Sequence, residues 1–129
     1  MKNNSSGGVK MKVIRLCDAP TEAGEVGCHG MAVRWLITRS DGAKTVLMRV
    51  FEVEPGGDSP FHSHTWEHAC FVLDGKGKIT CEGKTLDLEP GVALFVPPKK
   101  LHRVESIGTT PLKVLECAPS VAEEAYHQA

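Results

Sequence analysis

Three histidines fall within seven residues, at His62, His64 and His68, and a fourth, His102, follows in the run Pro97-Pro98-Lys99-Lys100-Leu101-His102. Imidazole nitrogens are the commonest protein ligands for transition-metal ions. In an extended segment His62 and His64 share one face, with Cα atoms about 6.6 Å apart at ~3.3 Å rise per residue. Two rings at that separation can lean onto one ion at the usual ~2.0–2.1 Å metal–nitrogen distance. A tight turn over Thr65-Trp66-Glu67 would return the chain and let His68 open the next strand facing the same interior. Several buried imidazoles without a shared partner would be costly unsatisfied groups. Isolated surface or core histidines are therefore the weaker reading of this cluster.

A rival pattern overlaps it. His64-Thr65-Trp66-Glu67-His68 matches the H-x-x-E-H of inverted zinc metallopeptidases. That chemistry needs an α-helix, so that both histidines share a face with the glutamate. Pro60 lies upstream, and Cys70-Phe71-Val72-Leu73-Asp74-Gly75 follows as a β run ending in a turn. No helix fits between them, and His62 would have no role. Glu67 then alternates away from the metal and is not assigned as a base.

The elements that must position these residues read as strands. Apolar runs at 13–17, 31–38, 45–53, 69–73, 78–81, 85–88, 92–96, 102–105 and 112–117 are cut by turn signals such as Asp41-Gly42, Pro55-Gly56-Gly57, Asp74-Gly75, Glu82-Gly83 and Pro90-Gly91. Many short, β-branched runs with this punctuation predict an all-β antiparallel sandwich or barrel. No helical period is long enough to supply the crossovers of a parallel sheet. Ser120 and Glu123 have the spacing of a capping box, which predicts a short helix over 121–126 at the end.

Bulk composition bounds the rest. A chain of 129 residues suits one domain and buries roughly two thirds of its unfolded surface. Residues 1–10 are polar and read as a flexible arm, with one domain over 11–129. The net charge of −1 gives no electrostatic footprint for nucleic acid or an anionic membrane. No apolar run approaches the ~20 residues of a membrane span. Five widely spaced cysteines, an odd number, with no export signal, point to a reducing cytoplasm rather than a disulfide framework. Runs 31–38 and 45–53 are apolar on both faces, so one face fills the barrel and the other is expected to pair with a second copy as a homodimer.

With these elements in place, the two histidine segments resemble the two motifs of the cupin family. The first, G-x5-H-x-H-x3-E-x6-G, falls on Gly56, His62, His64, His68 (in the Glu position) and Gly75. The second, G-x5-P-x-G-x2-H-x3-N, falls on Gly91, Pro97, Lys99 (in the Gly position), His102 and Ser106 (in the Asn position). Fifteen residues separate the motifs, and the resemblance covers about residues 44–117. It implies a small antiparallel double-stranded β-helix, the jelly-roll or cupin barrel, with a short C-terminal helix. It also implies one divalent transition metal ion on His62, His64, His68 and His102, as in the four-histidine members. Manganese or iron are the first expectations; nickel, copper and zinc are also compatible with imidazole.

Four neutral imidazoles would leave a dipositive ion its full charge and favour an anionic or chelating oxygen substrate. The resemblance then implies an oxidoreductase such as a dioxygenase, acting on a small oxygen-bearing organic molecule. A non-catalytic small-molecule-binding cupin with a structural metal is a second class. A metal-dependent isomerase or decarboxylase is a third, and would require an acid–base residue inside the barrel. Arg49 interrupts an apolar run and is read either as a clamp for an anionic substrate or as one half of an interface salt bridge. Trp66 is a candidate for the site mouth. Cys117 is a further pocket candidate, although alternation permits either Cys117 or Glu116 to face inward. Cys28 and His29 look like a metal pair but lie in a glycine-flanked loop, and His127 reads as a surface residue.

Overall fold

The structure, a computed structural model, describes residues 8–127. Residues 1–7 of the expected arm lie outside the described residues, and 8–10 are exposed without regular structure. The strands are β1 (Thr21–Ala23), β2 (His29–Ile37), β3 (Val46–Asp58), β4 (His68–Asp74), β5 (Gly77–Cys81), β6 (Lys84–Leu88), β7 (Ala93–Val96), β8 (His102–Ser106) and β9 (Leu112–Pro119). One helix, α1 (Ala122–His127), follows them. All strands join one sheet in the spatial order β6-β5-β8-β3-β9-β4-β7, with β2 also on β3 and β1 beyond it. Every pairing is antiparallel. The expected all-β barrel with a short C-terminal helix is what the chain forms.

The long strand β3 makes the curl possible. It lies between β2 and β9 over Met48–Val53, and its last residue, Asp58, pairs with Glu105 of β8. Between the pairs Met31↔Val53 and His29↔Asp58, β2 moves two residues while β3 moves five. The extra residues are the Pro55-Gly56-Gly57 bulge, which bends the strand so that one element serves both halves of the barrel.

Alternation then decides what faces inward. Strand β9 buries Leu112, Val114, Glu116 and Ala118 and leaves Lys113, Leu115, Cys117 and Pro119 half-buried on the other face. Strand β4 buries His68, Cys70 and Val72. The apolar members of these rows close one end of the barrel, where Leu112 and Val72 are fully buried. Each such side chain contributes about 1.5–3 kcal/mol relative to exposure. The polar members, His68 and Glu116, lie nearer the other end.

Turn chemistry holds the ends. At Gly75 (φ 83°) a Cβ would run into the Pro111 carbonyl oxygen. Lys99, in the motif's glycine position, takes the same left-handed backbone (φ 65°). Its N–H donates to the His64 carbonyl at 2.5 Å. The turn is thus kept, at the ~1–2 kcal/mol cost of a side chain in that region.

Two local expectations fail. The 13–17 run forms no strand: Val13 is 89% exposed, and Leu16–Asp18 is a 3-10 turn. The edge of β2 is instead taken by β1, which the sequence did not announce, so the run has no ladder to join. The helix is present but its capping box is not. Ser120 Oγ donates to the Lys44 carbonyl at 2.5 Å, and the Glu123 carboxylate accepts from Arg39 N–H at 2.8 Å. Among the described residues no helix is long and apolar enough to cross a membrane.

Candidate metal centre

His62 and His64 lie on an extended segment between β3 and β4 rather than within a strand. His62 exchanges backbone hydrogen bonds with His102, the first residue of β8, at 3.1 and 2.9 Å. That isolated bridge ties the two motifs together. The candidate ligand atoms of His62, His64 and His102 all lie within 4.8 Å of one another. His68 opens β4 as expected and its ring centroid stands 5.4 Å from that of His102 and 5.5 Å from that of His64. Three of the four expected ligands are thus gathered tightly, with His68 beside them.

The tautomers follow from the partners. His102 Nδ1 is 2.8 Å from the Lys100 carbonyl oxygen, which only accepts, so Nδ1 carries the hydrogen and Nε2 keeps a free lone pair. His68 Nδ1 is 2.8 Å from Glu116 Oε2 and is protonated for the same reason. His68 Nε2 is buried with no hydrogen-bond partner among the described residues. Burial first, then neighbouring imidazoles, push His62 and His64 down to about 4, and burial lowers His102. Neutral imidazoles, an orphaned inward nitrogen and a carboxylate behind a histidine together fit a divalent metal ion.

The same shifts give a pH prediction for the metal-free protein. Unfolded histidines titrate at about 6.5, so between 6.5 and about 4 the unfolded chain binds more protons than the folded one. Stability is full above pH 6.5 and falls as pH drops through that window. Melting temperatures in chelator at pH 7.5 and pH 5 check this; equal values would contradict it.

Behind the histidines lies a buried ion network. Arg49, 3% exposed, donates from Nε to Glu116 Oε1 at 2.6 Å and from Nη2 to Glu25 Oε1 at 2.7 Å. Its guanidinium carbon stands 3.7 Å over the Tyr126 ring. Tyr126 OH donates to Glu116 Oε2 at 2.7 Å. Burial alone would raise Glu116, but the Arg49 charge, then His68 and Tyr126, hold it well below the usual carboxylate range. Burial, then the Glu116 charge, push Tyr126 up. Two carboxylates and one guanidinium leave a net −1 beside the histidines, so the ion would not keep the full charge expected from imidazoles alone.

These contacts bear on three expectations. Arg49 lines the cavity, as its pocket reading had it, but its guanidinium is already paired with Glu116 and Glu25 inside the fold. Trp66 stacks on His64 (centroids 4.7 Å, planes 9° apart) and donates from Nε1 to Tyr126 OH at 3.3 Å. It braces His64 and does not line the cavity. Glu116, not Cys117, faces inward; Cys117 lines a shallow outer groove with Val46, Glu67 and Phe95. His29 pairs with Asp58 at 2.8 Å on the surface, and His127 with Glu22 at 3.0 Å.

Glu25 is the residue the sequence reading missed. It sits in the loop between β1 and β2, Gly24-Glu25-Val26-Gly27, where no spacing signals a role. The cavity it lines with the histidines and with apolar residues such as Phe51, Ile79 and Val114 is small, about 30 Å³. That is room for an ion and a water or two. Outside it opens a cleft of about 340 Å³ lined by Glu25, Val26, Pro60, Phe61, His62, His64, Ala125 and Tyr126. Glu25, His62 and His64 border both spaces.

An antiparallel barrel with paired histidine motifs at one end defines a class, and comparison with known proteins bears it out: the cupin domain family matches residues 49–117. The chain belongs to the cupin family. It is similar to the solved structure of the polyketide cyclase RemF from Streptomyces resistomycificus, at 32% identity and a TM-score of 0.81, covering 86% of this chain and 80% of that one. In sequence it is similar to the tetracenomycin polyketide synthase protein TcmJ of Streptomyces glaucescens, 29% identical over 89 residues, 67% of this chain. It is also similar to the mannose-1-phosphate guanylyltransferase RfbM of Salmonella typhimurium, 35% identical over 78 residues, 59% of this chain. The chain spans 60% of the length of TcmJ and 16% of that of RfbM.

Proposed function

We propose that this cupin is a metal-dependent enzyme acting on a small, oxygen-rich organic molecule. The observation that carries this is the convergence of His62, His64 and His102 within 4.8 Å beside the orphaned Nε2 of His68. These four residues would hold one divalent transition metal ion. Bound there, the ion supplies Lewis-acid polarisation of a substrate oxygen and, if redox-active, oxygen chemistry. The chain's own residues do the rest. Glu116 and the Lys100 carbonyl set the tautomers of His68 and His102, and Trp66 braces His64. The apolar floor keeps water out, and the outer cleft takes the body of the substrate, which the inner cavity is too small to hold.

Two reactions use such a centre. The reading supported best is a non-oxidative one, an isomerisation or ring closure of a polycarbonyl compound. Likeness to the cyclase RemF and to TcmJ supports it, as does a carboxylate within the cavity. The dioxygenase suggested by the histidine set is the second reading. Oxygen uptake separates them: with manganese-, iron- or zinc-loaded protein and a panel of polyketones, flavonols and catechols, the first reading expects an isomeric product without oxygen consumption. Oxygen uptake coupled to substrate loss would replace it with the second.

The chain is also read as pairing with a second copy, but not through the runs 31–38 and 45–53 first expected to do so, because Trp35, Val50 and Phe51 are buried within the chain itself. Phe71, Leu73 and Phe95 stand 41–60% exposed on the outer face of β4 and β7 instead. A dimer mass by light scattering is expected for the wild type, and a monomer for Phe95→Glu; a monomeric wild type would contradict the pairing.

A further inference from the structure

Two carboxylates line the inner cavity, and their oxygens differ in what they hold. Glu116 is fully engaged: Oε1 takes Arg49 Nε, and Oε2 takes Tyr126 OH and faces His68 Nδ1. Glu25 is half engaged. Arg49 Nη2 fixes its Oε1 at 2.7 Å, whereas Oε2 is buried and makes no hydrogen bond among the described residues. A buried, unpaired carboxylate oxygen is expensive and calls for an explanation. Glu25 also stands on the boundary between cavity and cleft, in company with His62 and His64. A molecule that reaches those histidines from the cleft passes beside the Glu25 carboxylate, which lines both spaces. The cleft walls there are apolar and aromatic, with Phe61 53% and Val26 68% exposed at the rim.

We propose that Glu25 is the proton-transferring catalytic residue of this site, and that its substrate is a carbonyl compound carrying a flat, apolar body. This rests on the metal-dependent reading above and deepens it. The proton leaves a carbon next to a substrate carbonyl for Glu25 Oε2. The C–H electron pair becomes the C=C bond of the enolate as the carbonyl π pair moves to oxygen. The enolate carbon then attacks a second carbonyl carbon of the same molecule, forming a C–C bond, and the new alkoxide takes the proton back from Glu25. Atoms and electrons balance, the product is an isomer, and no oxidant enters. Arg49 is the positioning residue: it holds one Glu25 oxygen so that the other faces the substrate.

The test uses full-length protein with its resident metal and α-hydroxyacetophenone as probe, a flat ketone with two adjacent oxygens and an exchangeable CH2. Deuterium incorporation from D2O is read by mass spectrometry. Metal content, melting temperature and the probe's Kd, from tryptophan quenching, are read alongside. The wild type is expected to speed exchange over buffer, and Glu25→Gln to lose about 100-fold or more of it. Metal content and Kd should hold in that variant, since Gln still accepts from Arg49. Glu25→Asp should keep more exchange than Glu25→Gln. A merely structural Glu25 predicts the reverse order, because Gln preserves reach and Asp does not. That order, or undiminished exchange in Glu25→Gln, overturns the assignment. Metal-loaded wild type without exchange above buffer removes Glu25 alone; wild type unable to hold metal removes the metal-dependent reading beneath it.

Discussion

Glu116→Gln is expected to destabilise the metal-free protein by about 3 kcal/mol, the lower end of what breaking a buried ion pair costs. Side chains of Arg49 and Glu116 are 4% and 1% exposed, and Gln leaves the guanidinium with Glu25 as its one remaining counter-charge. It also swaps an anionic acceptor of the Tyr126 hydroxyl for a neutral amide. The loss corresponds to roughly a 10 °C drop in Tm for a chain of this size. Urea unfolding followed by circular dichroism measures it, and a change under 1 kcal/mol would contradict the network's role. The double variant Arg49→Met/Glu116→Leu should recover much of the loss, since replacing both members removes the buried charge instead of orphaning it. Neither variant keeps a carboxylate behind His68, so both should bind metal about 10–100-fold more weakly.

Removing ligands should have the second large effect. A ligand that binds only the folded chain stabilises it by about 2.7 kcal/mol when present at a hundred times its Kd. Adding manganese, iron or zinc to chelator-treated wild type is therefore expected to raise Tm by several degrees, reversibly with EDTA. In His62→Ala/His102→Ala the two histidines joined by the backbone bridge are gone, while the bridge itself, made of main-chain atoms, remains. That variant should fold and show no metal-dependent rise. An equal rise in both proteins would place the metal elsewhere.

How much of this was legible in the residues follows from the range of each signal. His62, His64 and His102 could be read because spacing and family motif both report on backbone geometry. The barrel could be read because turn residues and β-branched runs act locally. Glu116 could not be separated from Cys117. Its own row holds Leu112, Val114 and Ala118 and the alternate row Lys113, Leu115 and Cys117, so each row mixes apolar residues with one charge, Glu116 or Lys113, and period two gave no clear phase. Arg49 announced itself as a charge in an apolar run, but its partners lie 24 and 67 residues away. Glu25 carried no local sign at all, because its position depends on how the β1–β2 loop meets β3. The 13–17 run misled because apolar composition is local, whereas the ladder a strand needs is not.

The central claim is the metal centre, and its most direct test is bound metal. Protein expressed without an affinity tag should carry close to one equivalent of a divalent transition metal by mass spectrometry, and His62→Ala/His102→Ala almost none. Equally little metal in both, even after reconstitution, would contradict the account.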